Sequence, residues 1–196
     1  MENILKFFYD LETTGLSYKK NSVHHLFGYL EQDGKIVDQI DLKIKPHPKA
    51  IIEAKALEVG GVTEETILKY PTILDSVNEL KKFLELYVDR FDSKDKIYLV
   101  GYNNKKFDDF FLQTLFSLAG DDMSYLCYFW SHSIDVMCLA SEALQHRRRK
   151  MGNFKLKTVA KELGIVIDES RLHTADYDVE LTRNIYNIVT GRQIEL

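Results

Sequence analysis

Apolar and polar positions in the first part of the chain predict a strand followed by a hairpin. The apolar and aromatic run from Ile4 to Tyr9 is typical of a buried central strand. Two more strand-like segments, residues 23–31 and 35–45, flank Gln32-Asp33-Gly34. An Asp-Gly pair between two such segments is typical of a tight hairpin turn, so these segments should pair with each other.

Helical periodicity dominates the remainder. Apolar residues recur at helical spacing in segments that we predict as helices: 50–59, 73–88, 107–118, 137–146, 156–163 and 175–190. Short apolar segments at 96–101 and 133–136 predict further strands. This order predicts an α/β fold with a mixed central sheet of about five strands, flanked by helices. We expect one domain over residues 1–196.

Composition and charge narrow the class of protein. Hydrophobic residues make up 45% of the chain and charged residues 29%, as is ordinary for a globular protein. The formal net charge of −4 argues against a broad basic face for duplex DNA, although metal ions can supply positive charge beside phosphate. Cys127 and Cys138 are predicted to be buried free thiols. With no signal peptide and no membrane-length apolar run, we expect a cytoplasmic protein.

Carboxylates embedded in apolar segments are the first chemical signal. Asp10 and Glu12 lie two residues apart at the end of the first predicted strand, so both project from the face that Phe8 occupies. Unpaired carboxylates are costly to bury, and a shared divalent cation would remove that cost. The alternative is that the two acids simply begin a polar turn.

A second acid comes from the helix predicted at 107–118. Asp108 heads an apolar stripe with Phe111 and Leu115, whereas Asp109 aligns with Leu112. Periodicity alone separates these two candidates poorly.

The last predicted helix supplies another acid and a histidine. Asp178 shares a stripe with Ile185, on the buried face. His173 is five residues earlier and would point elsewhere on a continuing helix, so it reaches the same site only from a preceding loop. Thr174 or Asp176 could cap the helix start. Surface or core positions are expected for the remaining histidines, which are His24, His25, His47, His132 and His146.

These residues match a family pattern. The chain resembles the DEDDh 3′–5′ exonucleases of the ribonuclease H-like superfamily, which include the proofreading epsilon subunit of bacterial DNA polymerase III, ribonuclease T and oligoribonuclease. The matching segments are Asp10-Leu11-Glu12-Thr13-Thr14-Gly15-Leu16, Asn104-Lys105-Lys106-Phe107-Asp108, and His173 with Asp178. The second segment favours Asp108 over Asp109. Thr174 stands where the sister class has tyrosine, which favours the histidine class. Val59-Gly60-Gly61-Val62 departs from the usual pattern of that loop.

The resemblance implies a ribonuclease H-like fold and a metal-dependent 3′–5′ exonuclease. Such an enzyme hydrolyses single-stranded nucleic acid, here with DNA favoured, to nucleoside 5′-monophosphates with two Mg²⁺ or Mn²⁺ ions. The implied metal ligands are Asp10, Glu12, Asp108 and Asp178. His173 would be the general base. Implied substrate contacts are Thr13, Thr14, Leu16, Asn104 and Phe107, with plain core packing equally open for Phe107.

Several functional alternatives stay open. The expected partners are the 3′ ends of single-stranded DNA or RNA. A polymerase or a second copy of the chain is also compatible with the resemblance. We expect no association with a membrane. There are three alternative functions. The first is an RNA-trimming exoribonuclease, and the second is a ribonuclease H-type endonuclease. The third is a catalytically silent nucleic-acid-binding or polymerase-associated module on the same fold. The basic run Arg147–Lys150 could hold phosphates or be a solvated loop.

Overall fold

The computed structural model describes residues 4–191, in which a five-stranded mixed sheet forms the centre of the fold. Its strands are β1 (Leu5–Thr13), β2 (Val23–Gln32), β3 (Lys35–Lys43), β4 (Tyr98–Gly101) and β5 (Ile134–Asp135). Their spatial order is β3-β2-β1-β4-β5. The first three strands form an antiparallel meander, and β1, β4 and β5 are parallel. The predicted α/β class and mixed sheet are therefore confirmed.

Helices cover both faces of this sheet. They are α1 (Ala54–Val59), α2 (Glu64–Ile67), α3 (Ile73–Leu84), α4 (Asp108–Leu118), α5 (Tyr125–Tyr128), α6 (Val136–Ala143), α7 (Leu156–Glu162) and α8 (Ala175–Val189). Short 3₁₀ turns follow β4 at Asn104–Lys106 and α6 at Gln145–Arg147.

Some element boundaries differ from the predicted ones. β1 extends to Thr13 instead of ending near Tyr9, because β2 continues to pair with it through Glu12. The helix predicted from residue 50 begins at Ala54, since the backbone N–H of Glu53 is donated to Thr14 in an extended connection. Helix α5 was not predicted from the sequence pattern, because four residues are too few to show a helical period.

Two hydrophobic cores lie on opposite faces of the sheet. Phe7 and Tyr9 of β1 face the core beneath α3 and α4, whereas Phe8 faces the core beneath α6 and α8. The Phe8 ring packs edge-on against Tyr186 of α8, with centroids 5.3 Å apart. Each fully buried phenylalanine contributes roughly 1.5–3 kcal/mol. Strand alternation then puts Asp10 and Glu12 on the α8 side.

The parallel part of the sheet leaves an open edge beside these acids. β4 pairs with β1 only through Lys6, Phe7 and Phe8. From Tyr9 onward, β1 therefore has no strand neighbour on that side. The first residues of α4 and α8 come to this same end of the sheet, where α/β folds commonly form their sites.

Both cysteines are free, and neither is fully buried: Cys127 is half-buried and Cys138 is exposed. The prediction of buried thiols was therefore wrong. On α6 the buried residues are Val136 and Ala140, and Cys138 lies between them on the opposite side of the helix. In the described part of the chain, no helix has the length and apolar character needed to cross a bilayer.

Candidate active site

Two carboxylates of β1 lie in an environment that opposes their ionisation. Burial raises the pKa of Asp10 well above its usual range, and the negative charges of Asp108, Glu12 and Asp178 raise it further. Burial also raises the pKa of Glu12 to about 7, with Asp178 adding to the rise and Lys43 opposing it. These mutual effects show that acids from β1, α4 and α8 lie close to one another.

Asp108 and Asp109 are adjacent in sequence, but their carboxylates lie in different surroundings. Asp109 accepts hydrogen bonds from the Tyr9 hydroxyl at 2.6 Å, the Asn104 amide at 3.0 Å and the Ser133 hydroxyl at 2.5 Å. Asp108 is 6% exposed, and burial raises its pKa to about 8. Asp109 is thus held as a structural acceptor, whereas the buried Asp108 carboxylate faces the other acids.

The segment entering α8 brings the fourth acid and the histidine. His173 precedes the helix and has a left-handed backbone with φ 66°. Its backbone N–H donates to the Asp178 carboxylate, and burial raises the pKa of that carboxyl. The His173 ring is exposed. Thr174 is the residue before the first turn, but its hydroxyl donates to Arg171, so the expected side-chain cap is not formed.

The donor set fits divalent cations that prefer oxygen ligands. All four acids present carboxylate oxygens, and Oδ1 of Asp178 is buried with no hydrogen-bond partner. A cation would relieve both this unsatisfied atom and the repulsion among the acids. Within residues 4–191, no three acidic, histidine or cysteine side chains already lie close enough to ligate one ion. Binding one ion through three of these side chains would therefore require them to move closer together.

The predicted substrate residues fall into two groups. Thr13 and Thr14 are buried, and their hydroxyls donate to the carbonyls of Gly15 and Ile51, both at 2.8 Å. These hydroxyls are therefore already engaged inside the loop. Leu16 is 83% exposed and can contact a ligand.

The other two predicted substrate residues lie beside α4. Asn104 is fully buried, with its amide nitrogen bonded to Asp109 and its oxygen lacking a partner. Phe107 is half-buried and packs on Phe111, with centroids 4.9 Å apart. Core packing therefore accounts for at least part of the role of Phe107.

An aromatic stack lies next to the exposed Leu16. Tyr18 stacks on Phe110 of α4, with centroids 5.0 Å apart and an interplanar angle of 16°. Asn21 holds the loop that carries Leu16 and Tyr18, because its side chain accepts from Ser17 and donates to the carbonyls of Thr14 and Ile51. Phe110 keeps 41% of its surface exposed. This stack was not identified from the sequence.

A recess of about 260 Å³ opens beside Glu12 and His173, and His24 and His25 line it. Nε2 of His25 lies 2.8 Å from both Asp41 Oδ1 and Lys43 Nζ. The sequence pattern did not identify these two partners of His25. The missed signal is the hairpin register, which places His25 opposite Lys43 across β2 and β3.

The basic run is partly engaged within the protein. Arg147 pairs with Glu162 at 2.8 Å, and the Arg148 guanidinium lies 4.6 Å from the centre of the Phe154 ring. The Tyr102 hydroxyl, just after β4, donates a hydrogen bond to the backbone carbonyl of Phe154. This bond holds the segment that follows the basic run close to the end of β4.

Comparison with known proteins bears on the fold and the family. Among solved structures, a zinc-bound complex of E. coli exonuclease I with single-stranded DNA matches 97% of this chain and 41% of that chain, with TM-score 0.75 and 20% identity. Exonuclease I from Methylocaldum szegediense matches 97% of this chain and 41% of its own, with TM-score 0.74 and 18% identity.

Curated relatives are much longer proteins. The PolC-type DNA polymerase III of Mycoplasmopsis pulmonis is 29% identical over 91% of this chain and 11% of its own length. The Bacillus cereus protein of the same description is 30% identical over 89% of this chain and 10% of its own. The chain thus spans about a tenth of these relatives. The RNase T family, described as exonuclease, matches residues 7–186. The chain therefore belongs to this exonuclease family, among the DEDD-type 3′–5′ exonucleases of the ribonuclease H-like superfamily.

Proposed function

We propose that the chain is a metal-dependent 3′–5′ exonuclease domain that hydrolyses single-stranded nucleic acid, with DNA favoured. The observation that carries this proposal is the cluster of carboxylates from β1, α4 and α8, which raise one another's pKa. Four such acids together are unfavourable unless positive charge neutralises them. The exonuclease family also implies dependence on a divalent metal. We take residues 1–196 to be one exonuclease domain, of which 1–3 and 192–196 lie outside the described part.

Each site residue has a proposed role. The residues that would hold two Mg²⁺ or Mn²⁺ ions are Asp10, Glu12, Asp108 and Asp178. When bound, such ions neutralise charge beside phosphate and make water a stronger acid. The exposed ring of His173 would take the proton from the attacking water, because an imidazole nitrogen can act as a general base. The product would be a nucleoside 5′-monophosphate.

Single strands are favoured by the surface around the site. Leu16, Tyr18 and Phe110 present apolar and aromatic surface, on which unpaired bases can stack. With a net charge of −4, the chain lacks the excess of basic residues typical of duplex-binding domains. The exonuclease I structures in complex with single-stranded DNA support the same choice.

Association with a polymerase is also proposed, on the basis of the PolC-type relatives. In those proteins the similar segment is about a tenth of a longer chain. Co-purification with a replicative polymerase would test this. A second copy of this chain is the alternative partner.

Digestion of labelled oligomers tests the proposed function. Parent protein, Asp10→Asn and the matched control Asp122→Asn, at an exposed aspartate, are incubated with 5′-labelled and 3′-labelled DNA and RNA single strands. We expect stepwise shortening from the 3′ end with Mg²⁺, none with chelator, and loss only in Asp10→Asn. Faster cleavage of RNA would identify an RNA-trimming enzyme. No cleavage of any strand, with binding retained, would identify a silent module.

A further inference from the structure

His24 is a buried histidine whose ring nitrogens make no hydrogen bond to any other residue. The ring belongs to a residue only 2% exposed, and both of its nitrogens are buried and unpartnered. A buried polar group left unsatisfied costs about 1–3 kcal/mol. Such a group in a recess beside carboxylates indicates a ligand that supplies the missing hydrogen bond.

A strand irregularity places this ring at the site. Across β1 and β2 the pairing passes from Glu12 with His25 to Thr13 with Val23, so His24 is the extra residue of a β-bulge. Bulges commonly redirect a side chain near an active site. Here the bulge turns His24 toward the recess that Glu12 and His173 also line.

The absence of a side chain at Gly60 leaves room between the two groups. A Cβ atom built on Gly60 would lie 3.6 Å from Oε2 of Glu12 and 3.9 Å from Nε2 of His24. The space beside Gly60 is therefore bordered by both the carboxylate and the imidazole. The departure of the 59–62 loop from the usual family pattern falls at this same point.

The chemistry of the recess selects a neutral partner. Burial, with the positive charges of His25 and Lys43, lowers the pKa of His24 to about 4, so the ring is neutral near pH 7. A neutral imidazole has one donor and one acceptor, which matches a hydroxyl group. A neutral ring offers a phosphate oxygen no charge-assisted hydrogen bond, which also favours a hydroxyl.

We propose that His24 is a specificity-determining residue that hydrogen-bonds a sugar hydroxyl of the nucleotide at the 3′ end. The inference rests on the proposed exonuclease function, since it assigns the recess to the terminal sugar. That hydroxyl is either the 3′-OH, present in DNA and RNA, or the 2′-OH, present in RNA alone.

Four oligomers that differ only in the sugar of the last nucleotide distinguish recognition of the 3′-OH from recognition of the 2′-OH. The sugars are 2′-deoxyribose, ribose, 3′-deoxyribose and 2′,3′-dideoxyribose. KM and kcat are measured for parent, His24→Leu, His24→Gln and the control His146→Leu at an exposed histidine. We expect the parent to have a KM about 5- to 10-fold lower for the end with the recognised hydroxyl than for the dideoxy end. His24→Leu should remove most of this ratio, while His24→Gln, whose amide reaches the position of Nε2, should restore part of it.

Thermal stability provides a readout that does not depend on catalysis. His24→Leu should melt at the same or a higher temperature than the parent, because it removes unsatisfied polar atoms from the interior. A nucleoside 5′-monophosphate with the recognised hydroxyl should stabilise the parent more than its dideoxy analogue does, and His24→Leu should lose this difference. If His24→Leu does not fold, His24→Asn, whose amide falls short of Nε2, serves the same comparison.

The outcomes separate the two proposals. A parent that degrades no strand from its 3′ end would overturn the proposed function. An active parent whose KM ratio and nucleotide stabilisation persist in His24→Leu would overturn the role of His24 alone, and would leave it as a core residue.

Discussion

Replacing Glu12 with glutamine should stabilise the metal-free protein, and more so at higher pH. Burial and the charge of Asp178 raise the folded-state pKa of Glu12 from 4.5 to about 7. An acid with a raised folded pKa binds its proton more tightly in the folded state. Its effect on stability is therefore most favourable below pH 4.5 and is lost as the pH rises toward 7.

The size of the effect on stability follows from the difference between the folded-state and unfolded-state pKa of Glu12. One pKa unit corresponds to about 1.4 kcal/mol, so Glu12 costs about 3 kcal/mol at pH 8, where it is ionised in the folded protein. At pH 5.5 it costs about 1.4 kcal/mol, because the carboxylate takes up a proton on folding. Glu12→Gln should raise the free energy of unfolding by similar amounts at each pH. In Mg²⁺ the order should reverse, because the parent gains stability from bound ions whereas the variant has lost one ligand.

Urea unfolding measures these values at both pH values, with chelator and with Mg²⁺. Glu79→Gln, at an exposed position on α3, is the matched control and should change stability by no more than about 0.5 kcal/mol. The reasoning is refuted if metal-free Glu12→Gln is no more stable than the parent at pH 8. It is also refuted if the gain is the same at pH 5.5.

Two further predictions concern the general base and the aromatic stack. His173→Asn should lower kcat by about 10²–10⁴-fold, and asparagine tolerates the left-handed backbone at this position. The stabilisation of the protein by Mg²⁺, measured by thermal unfolding, should be unchanged. Loss of that stabilisation would instead make His173 a metal ligand. Phe110→Ala should raise KM for single strands at least about fivefold with little change in kcat, because base stacking is lost. Leu118→Ala, equally exposed at 41% on the same helix, should leave KM unchanged, and an equal effect of both changes would exclude the stack as a binding surface.

Local patterns predicted most of the fold because local physics decides it. The Asp33-Gly34 turn predicted the hairpin of β2 and β3, and the apolar spacing from Ile73 predicted α3. Boundaries were less predictable, since they depend on partners distant in sequence. β1 continues through Glu12 only because β2 lies beside it.

The site could be predicted in part for the same reason. Asp108 and Asp109 have similar helical periodicity, and what separates them is that Tyr9 and Ser133, from other elements, bind Asp109. His24 lies in the recess because of a β-bulge, which has no reliable signature in a single sequence. The residues missed from the sequence are thus those positioned by strand register, such as His24, or by packing of a loop on a helix, such as Tyr18 on Phe110.

The account depends on the acids of β1, α4 and α8 holding divalent cations together. Diffraction from crystals soaked in Mn²⁺, with the anomalous signal used to locate the metal, tests this most directly. We predict two Mn²⁺ ions among the oxygens of Asp10, Glu12, Asp108 and Asp178. Crystals in which these carboxylates remain separate, with no manganese signal between them, would contradict the account.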